Sequence, residues 1–329
     1  MSEIHKFLFE GLPVRGVLVR LTGVWTEILR RHASGGTANA YAQPVQRLLG
    51  EMLAAAALMQ SNIKFNGSLI LQIFGDGPVK LAVAEVQPDF GLRATATVIG
   101  GISPGTSLSG LVNVNGQGRC AITLDPKEKL PGRQAYQGVV PLSRDASANI
   151  ENLSGSLEHY MLQSEQIETT LVLAADDRVA AGLLIQRLPM EGAGNLAGRG
   201  RHGDKEEVAD VNEDYRRIAM LASSLKAEEL LTLDADTVLR RLFWQENILR
   251  FAPAAGDPAP HFSCTCSRER VEKMIVGLGT AEAQSILAES GEVEVGCEFC
   301  GARERFDAID IAQIFQAPGK AQAAGPALH

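Results

Sequence analysis

The sequence predicts an α+β fold, in which an N-terminal sheet domain with packed helices is followed by a helical linker and a small cysteine-containing C-terminal domain. Three observations support this organisation. Eight stretches of β-type patterning fall within the first 190 residues, helical spacing returns after residue 217, and four of the five cysteines lie in the last fifth of the chain. With 45% hydrophobic and 21% charged residues, the 329-residue chain has the composition of a globular protein, which excludes disorder along its whole length.

The β-type stretches are alternating or continuously apolar, and turn signals such as Gly75-Asp76-Gly77-Pro78 separate most of them. They cover residues 15–21, 68–74, 79–86, 92–99, 120–124, 135–140, 169–174 and 180–185. Strands follow one another several times without an intervening helix, which favours a sheet with strong antiparallel character over a doubly wound one. One helix begins near Pro44, with apolar residues at helical spacing from Val45 to Ala56, and is expected to pack one face on this sheet.

The composition changes after Pro189. Five glycines fall between residues 191 and 203, and a charged run of six acidic and three basic residues covers 204–217, so this stretch is predicted to be a flexible boundary. Helical spacing then returns in two short segments, the second with Asp234 as its N-cap. Their apolar residues are Ile218, Leu221, Ala222 and Leu225, followed by Ala235, Val238, Leu239 and Leu242. Trp244 and Phe251 are expected to be core residues of a helix docked on the sheet.

These changes define the predicted domains. The α+β sheet domain covers residues 1–190, a flexible and then helical linker covers 191–260, the cysteine-containing domain covers 261–316, and a tail predicted to be disordered covers 317–329. The linker helices are short and therefore marginal alone. We expect them to dock on the sheet of the first domain.

The cysteines of the C-terminal domain form two local pairs. Cys264-Thr265-Cys266 is followed, after thirty residues, by Cys297-Glu298-Phe299-Cys300 and then Gly301, which can take a positive φ. Four soft thiolate ligands suit one tetrahedral Zn²⁺, and clustered cysteines in a reducing compartment are more often metal ligands or redox thiols than structural disulfides. The single residue between Cys264 and Cys266 is unusual for a purely structural zinc site.

Two cysteines that are one or two residues apart can bring their α-carbons within the roughly 4.4–6.8 Å that a disulfide requires. Oxidation could therefore form two local bridges, each of which would remove two metal ligands. Because a small domain of this kind depends on its ion for folding, loss of the ion would unfold it. A redox-inert zinc ribbon remains open as the alternative.

The sequence between and after the cysteine pairs predicts a small core. Ser267 is expected to cap a helix that carries Val271, Met274, Ile275 and Leu278. A second helix runs from about residue 280 and ends at Gly291, and Asp307 is expected to cap the last helix.

Charge and motifs argue against several function classes. The net charge is −8, and residues 261–315 carry five basic and ten acidic side chains, so nucleic-acid binding is not expected. The longest uninterrupted apolar run is eight residues, 52–59, and the N-terminus lacks a secretory pattern, so a cytoplasmic protein without membrane partners is expected. Gly101-Ile102-Ser103-Pro104-Gly105 matches a hydrolase elbow, but Pro104 lacks the N–H that the oxyanion hole needs, so a turn is predicted there. Cys120 is expected to be a buried hydrophobe, and His261 a surface residue.

The cysteine region resembles the bacterial redox-switched heat-shock protein 33 family. The resemblance rests on Phe262 to Arg270 and Glu294 to Cys300, and it continues through Tyr136 to Val140, Ser164-Glu165-Gln166 and Gly182 to Pro189, so it spans nearly the whole chain. Two features depart from the family pattern. The Gly-rich, charged stretch at 191–217 is longer than usual, and Arg305 precedes Phe306-Asp307 where an aromatic residue is expected.

The resemblance implies an ATP-independent holdase of the cytoplasm, not an enzyme, which is zinc-bound and inactive when reduced. The implied ligands of one Zn²⁺ are Cys264, Cys266, Cys297 and Cys300. The implied disulfides of the oxidised state are Cys264 to Cys266 and Cys297 to Cys300. On oxidation, zinc is expected to leave, the linker to unfold, and the protein to dimerise and capture unfolding clients.

Two alternatives come from other function classes. A thiol-disulfide oxidoreductase would use Cys297 and Cys300, although the pair lacks a thioredoxin-like βαβ context. A structural zinc-ribbon interaction or nucleic-acid module would be indifferent to peroxide, and the local excess of acidic residues counts against nucleic acid.

Overall fold

A computed structural model describes residues 2–34, 41–128, 135–145, 148–149, 152–188, 204–252 and 258–316. The chain divides into two compact units, one formed by Met1–Arg30 with Ala40–Ser263 and the other by Arg31–Asn39 with Cys264–His329. The Gly-rich stretch at 191–203 and the predicted tail at 317–329 lie outside the described residues. The predicted domain boundaries at residues 190, 260 and 316 therefore stay predictions.

The described strands fall into four sheets. The strands are β1 (Glu3–Phe9), β2 (Val14–Leu21), β3 (Gly67–Phe74), β4 (Val79–Val86), β5 (Gly91–Val98), β6 (Arg119–Pro126), β7 (Tyr136–Pro141), β8 (Ser143–Asp145), β9 (Ala148–Asn149), β10 (Thr169–Ala175), β11 (Ala180–Arg187), β12 (Ile248–Phe251), β13 (His261–Phe262), β14 (Val293–Gly296) and β15 (Arg303–Phe306). The helices are α1 (Gly23–Ser34), α2 (Gln43–Asn62), α3 (Leu108–Val112), α4 (Leu153–Ser164), α5 (Asp204–Ser223), α6 (Ala227–Thr232), α7 (Ala235–Leu242), α8 (Arg268–Leu278), α9 (Thr280–Ser290) and α10 (Ala308–Gln316).

Two larger sheets build the first unit. The first sheet has the order β10-β11-β2-β1-β12 and is antiparallel throughout. The second has the order β13-β5-β4-β3-β6-β7 and is antiparallel except for the β13–β5 pair. Each of the eight predicted strands is present within two residues of its predicted bounds, and the predicted antiparallel α+β class is confirmed.

The prediction of a single sheet with α2 on one side is wrong. Helix α2 packs between the two sheets, against β2, β10 and β11 on one side and β3, β4 and β5 on the other, and fifteen of its twenty residues are buried. The physical reason lies in its sequence, because residues 52–59 are apolar on every face and a helix without a polar face is buried on all sides. A Cβ on Gly50 of this helix would lie 2.4 Å from the Cβ of Ala175, so the close approach to β10 needs glycine.

Helices α5, α6 and α7 cover the face of the first sheet that does not contact α2. Their buried residues pack against Phe7, Phe9 and Leu18 of the sheet. These helix residues are Tyr215, Ile218, Ala222, Leu225, Leu230, Ala235, Val238, Leu239 and Leu242. Arg20 adds polar contacts by donating hydrogen bonds to the carbonyl oxygens of Leu230 and Leu231, at 2.5 and 3.2 Å. The expected docking of the linker helices on the sheet is thus present in the structure.

The charged run at 204–217, expected to be flexible, lies within helix α5. Its charged side chains are mostly good helix formers, and Val208, Val211, Tyr215 and Ile218 recur at helical spacing. The prediction of a flexible segment rested on the charge of this run and did not take its periodicity into account.

The expectation that Trp244 and Phe251 are core residues is also wrong, since their side chains are 73% and 55% exposed. The buried aromatic residue is Phe243, whose ring meets that of Phe9 edge to face at 5.0 Å. Phe243 ends helix α7 with its ring against the sheet, and Trp244 lies in the following turn. Phe251 lies on the edge strand β12, opposite the exposed Lys6.

The second unit has a separate small core around the β14–β15 hairpin. Its predicted helix ends are confirmed. Ser267 Oγ accepts a hydrogen bond from the Arg270 amide, Gly291 adopts a φ of +77° after α9, and Asp307 Oδ1 accepts from the amides of Ile309 and Asp310.

Two of the strings that carry the family resemblance meet in the first unit. Glu165 Oε1 accepts hydrogen bonds from the hydroxyls of Tyr160 and Tyr136, at 2.8 and 3.4 Å. A Cβ on Gly138 would lie 2.5 Å from the Tyr160 ring, so glycine allows β7 to approach this ring. These strings therefore serve the packing of α4 on β7.

Candidate metal centre

The four cysteines that were predicted to bind metal lie together in the second unit. Cys264 and Cys266 precede α8, and Cys297 and Cys300 follow β14. All four Sγ atoms lie within 4.8 Å of one another, and all four side chains are free thiols. The Sγ atom of Cys264 lies 3.7 Å from that of Cys297, and the Sγ atom of Cys266 lies 3.3 Å from that of Cys300.

This arrangement fits a tetrahedral metal ion. Four sulfurs at about 2.3 Å from a central Zn²⁺ would lie about 3.8 Å apart. The Cys264–Cys297 and Cys266–Cys300 separations are close to that value, and all four sulfurs lie within 4.8 Å of one another. Among the described residues, no other group of three or more His, Cys, Asp or Glu side chains is placed to hold a metal. The structure therefore places the four cysteines to hold one ion, and sulfur ligands favour zinc or another soft metal.

The second cysteine pair lies in a turn that directs backbone amides toward sulfur. Gly301 adopts the predicted positive φ, +72°, and its amide donates to the carbonyl oxygen of Cys297 at 2.8 Å. The Cys297 amide in turn donates to Ala302 across the start of the hairpin, at 2.8 Å. Hydrogen bonds from the amides of Phe299 and Cys300 to the Cys297 sulfur favour its thiolate form.

Two arginines support the site, and sequence reasoning counted them only as charges. Arg268 lies over the Phe306 ring, with its guanidinium carbon 4.1 Å from the ring centroid, and it donates to the carbonyl oxygen of Arg305 at 2.9 Å. Arg270 Nη1 donates to the carbonyl oxygen and to Oγ1 of Thr265, between the first two cysteines. Both arginines belong to the string that carried the family resemblance, which was the available signal.

The electrostatics of the site call for a cation. Burial raises the pKa of the Cys266 thiol, and the neighbouring Cys300 and Cys264 raise it further. Burial also raises the pKa of Cys297 despite its amide partners. Several thiolates in one half-buried cluster repel one another, so a bound positive ion is what would keep them deprotonated together.

The other residues singled out in the sequence lie outside this cluster. Cys120 is completely buried on β6, and burial raises the pKa of its thiol to about 12. The prediction that it is a small core residue is therefore confirmed. His261 is exposed, and its Nδ1 contacts the carbonyl oxygen of Ala259. Ser103 and Pro104 lie in a loop with a turn, as predicted. Arg305 forms ion pairs with Glu292 and Glu294, which accounts for a charged residue at this position.

Comparisons with known proteins agree along nearly the whole chain. A family model described as "Hsp33 protein" matches residues 2–307. The chain is 43% identical over 314 residues to a 33 kDa chaperonin of Chromobacterium violaceum, covering 95% of this chain and 94% of that protein. It is 40% identical over 320 residues to a 33 kDa chaperonin of Shewanella woodyi, covering 96% and 98%.

A solved structure has a similar fold. The 33 kDa chaperonin of Thermotoga maritima, also titled a heat shock protein 33 homolog, superposes with a TM-score of 0.70 at 21% identity, covering 96% of this chain and 98% of that one. Among the described residues, no helix is both long enough and apolar enough to cross a membrane.

Proposed function

The chain belongs to the Hsp33 family, and from this premise we propose that it is a redox-regulated, ATP-independent holdase that is inactive while its four cysteines are reduced and bind one Zn²⁺. Members of this family are chaperones and not enzymes. The observation that carries the proposal is the cluster of four free thiols in a unit with a very small core. We place the protein in the cytoplasm, where a reducing environment would maintain this state.

The ligands of the ion are Cys264, Cys266, Cys297 and Cys300. Among the described residues of the second unit, only a few fully apolar side chains are buried, so packing alone gives this unit little stability. These are Ile275, Ala283, Val293, Phe306, Ile311 and Ile314. A bound Zn²⁺ supplies roughly 10–16 kcal/mol of folding free energy in small domains of this kind.

Oxidation removes the ligands in pairs. Two thiolates give two electrons to the oxidant and join as one disulfide; with hydrogen peroxide, two protons are taken up and two water molecules are released. As the family resemblance implies, the bridges join Cys264 to Cys266 and Cys297 to Cys300; cysteines one or two residues apart can reach disulfide geometry by local rearrangement. A disulfide sulfur is a poor metal ligand, so the ion is released and the second unit loses its main source of stability.

Unfolding of the second unit is transmitted to the helices that cover the first sheet. Helices α5 to α7 bury an apolar sheet face that includes Phe7, Phe9 and Leu18. If this segment leaves the sheet, the exposed apolar surface binds unfolding client proteins and supports a homodimer. No nucleic acid or membrane takes part in this function.

The test is the light scattering of a thermally unfolding reporter enzyme, with this protein added either zinc-loaded and reduced or pretreated with peroxide or hypochlorous acid. We expect suppression of aggregation by the oxidised form alone, release of one zinc per chain, and an internal disulfide in the peptide that carries Cys264 and Cys266. Equal suppression in both states would contradict the redox switch. Catalytic turnover in an insulin-reduction assay would instead favour a thiol-disulfide oxidoreductase.

A further inference from the structure

The strand just before the first metal-site cysteine closes one edge of the second sheet. β13 pairs with β5 in the register His261 to Gly91 and Phe262 to Leu92, the one parallel pairing among the described strands. The amides of His261 and Ser263 donate to the carbonyl oxygens of Phe90 and Leu92, at 3.0 and 3.2 Å. Ser263 is followed directly by Cys264.

The edge of β5 is shaped to accommodate this strand. A Cβ on Gly91 would lie 2.6 Å from the Ser263 Cβ, so the two strands approach too closely for a larger residue. Phe90, whose carbonyl oxygen accepts from His261, adopts a φ of +56°, which is unfavourable for a residue with a side chain. Phe262 packs against the core between the sheets.

The same edge of β5 is also covered further along. The Tyr41 hydroxyl accepts a hydrogen bond from the Ala96 amide and donates one to the Ala96 carbonyl oxygen, at 2.9 and 3.0 Å. An uncovered edge presents backbone groups to which another extended chain can pair, and proteins commonly block such edges. β13 and Tyr41 together serve as the block on β5.

We infer that β13 is a latch: it closes the edge of β5 while the second unit is folded, and on its release this edge binds an extended, apolar segment of an unfolding client. This inference rests on the proposed function and names one binding site for it. β13 has only two residues and ends two residues before Cys264, so the inference is that the folded second unit keeps this short strand in place. When that chain unfolds, β13 is free to leave.

β13 itself indicates what the uncovered edge of β5 would bind. The edge accepts an extended backbone with one apolar side chain, Phe262, against the core and one small side chain, Ser263, against Gly91. Unfolded proteins expose many short segments of this kind, and addition of a strand to a sheet edge depends mainly on backbone hydrogen bonds and little on sequence. Such a site suits a chaperone with many clients.

The latch is tested in the full-length protein by Gly91→Ala, with Gly101→Ala as the control, because a Cβ at Gly101 would contact nothing within 4 Å. The double variant Gly91→Ala with Ser263→Gly removes the clashing side chain and should restore the latch. We expect Gly91→Ala to weaken the attachment of β13 to β5 by about one hydrogen bond. In the reduced variant, the amides of His261 and Ser263 should therefore exchange hydrogen about fivefold faster than in the wild type. The variant should also reach half-maximal chaperone activity at a lower dose of oxidant.

The occupant is tested by placing the photocrosslinker p-benzoylphenylalanine at Phe90 and adding reduced, carboxymethylated α-lactalbumin, a permanently unfolded protein. The reduced chaperone should crosslink internally to residues 261–263, and the oxidised chaperone to the unfolded protein. Protection of the His261 and Ser263 amides that persists after oxidation would overturn the latch. Crosslinks to a second copy alone, or equal client crosslinks in both states, would overturn the assigned occupant. If oxidised wild type fails to suppress aggregation, the proposed function itself is wrong.

Discussion

The guanidinium of Arg270 holds the residue between the first two cysteines. Its Nη1 lies 2.9 Å from the carbonyl oxygen of Thr265 and 2.5 Å from Thr265 Oγ1. Arg270 belongs to the first turn of α8, which Ser267 caps. The loop that carries Cys264 and Cys266 is therefore tied to a helix of the small core in the folded unit.

We expect Arg270→Met to weaken zinc binding about tenfold, because partners that orient metal ligands typically contribute 10–100-fold to affinity. The measurement is competition with a chromogenic chelator. Lys273→Met is the matched control, since Lys273 is an exposed residue of the same helix. Equal affinities in the two variants would show that the Thr265 contacts do not support the site.

Substitution of any one metal-site cysteine by serine is expected to abolish stoichiometric zinc binding and to unfold the second unit, because three thiolates in so small a core leave the ion and the fold weakly held. Cys120→Ala should keep one zinc per chain and lose only about 1 kcal/mol from the small cavity. Zinc content and circular dichroism distinguish the two cases. A Cys266→Ser variant with full zinc content would contradict the assigned ligands.

The metal centre could be predicted from the sequence because its determinants are local. The two cysteine pairs, Gly301 and the caps Ser267 and Asp307 each act within a few residues of their own position. The contribution of Arg270 could not be read in the same way, because a charged residue in a first turn is equally compatible with solvent exposure.

The division into two sheets depends on pairings distant in sequence. β12 has four residues and pairs with β1, and β13 has two residues and pairs with β5. Each pair joins segments more than 160 residues apart, so no local pattern predicts these strands. Residues Phe243 and Trp244 illustrate the same limit. Both are large and aromatic, and only the direction in which the chain leaves α7 decides which one is buried.

Glu51 should make the first unit less stable as the pH rises. Burial on α2 raises its pKa from 4.5 to about 7, although Arg47 partly offsets this. Since the folded-state pKa is above the unfolded one, the protonated form is favoured in the fold, and stability is lost between about pH 4.5 and 7. Glu51→Gln should remove this loss and stabilise the protein at pH 8 by about 3 kcal/mol, with no gain at pH 4.

Urea unfolding at pH 4, 6 and 8 measures this effect. Glu10→Gln is the control, because Glu10 is exposed and its substitution should leave the pH dependence unchanged. A Glu51→Gln variant whose stability follows that of the wild type at every pH would show that Glu51 is hydrated in the folded protein.

Phe243 anchors the helices that cover the first sheet. Its ring is 1% exposed and contacts Phe9 edge to face at 5.0 Å and Phe7 at 6.3 Å. Truncation of a buried phenylalanine typically costs about 3–5 kcal/mol. Because this contact joins α7 to β1, Phe243→Ala should mainly weaken the attachment of helices α5, α6 and α7 to the sheet. The sheet itself should lose less stability.

Phe243→Ala is therefore expected to suppress client aggregation in part while still reduced and zinc-loaded, with faster hydrogen exchange across residues 218–242. Trp244→Ala is the matched control, since the adjacent ring is 73% exposed and its removal should leave both properties unchanged. If Phe243→Ala loosens the helices yet stays inactive until it is oxidised, uncovering of this sheet face is not sufficient for client binding. Activity would then depend on a surface that only the loss of zinc uncovers, such as the edge of β5.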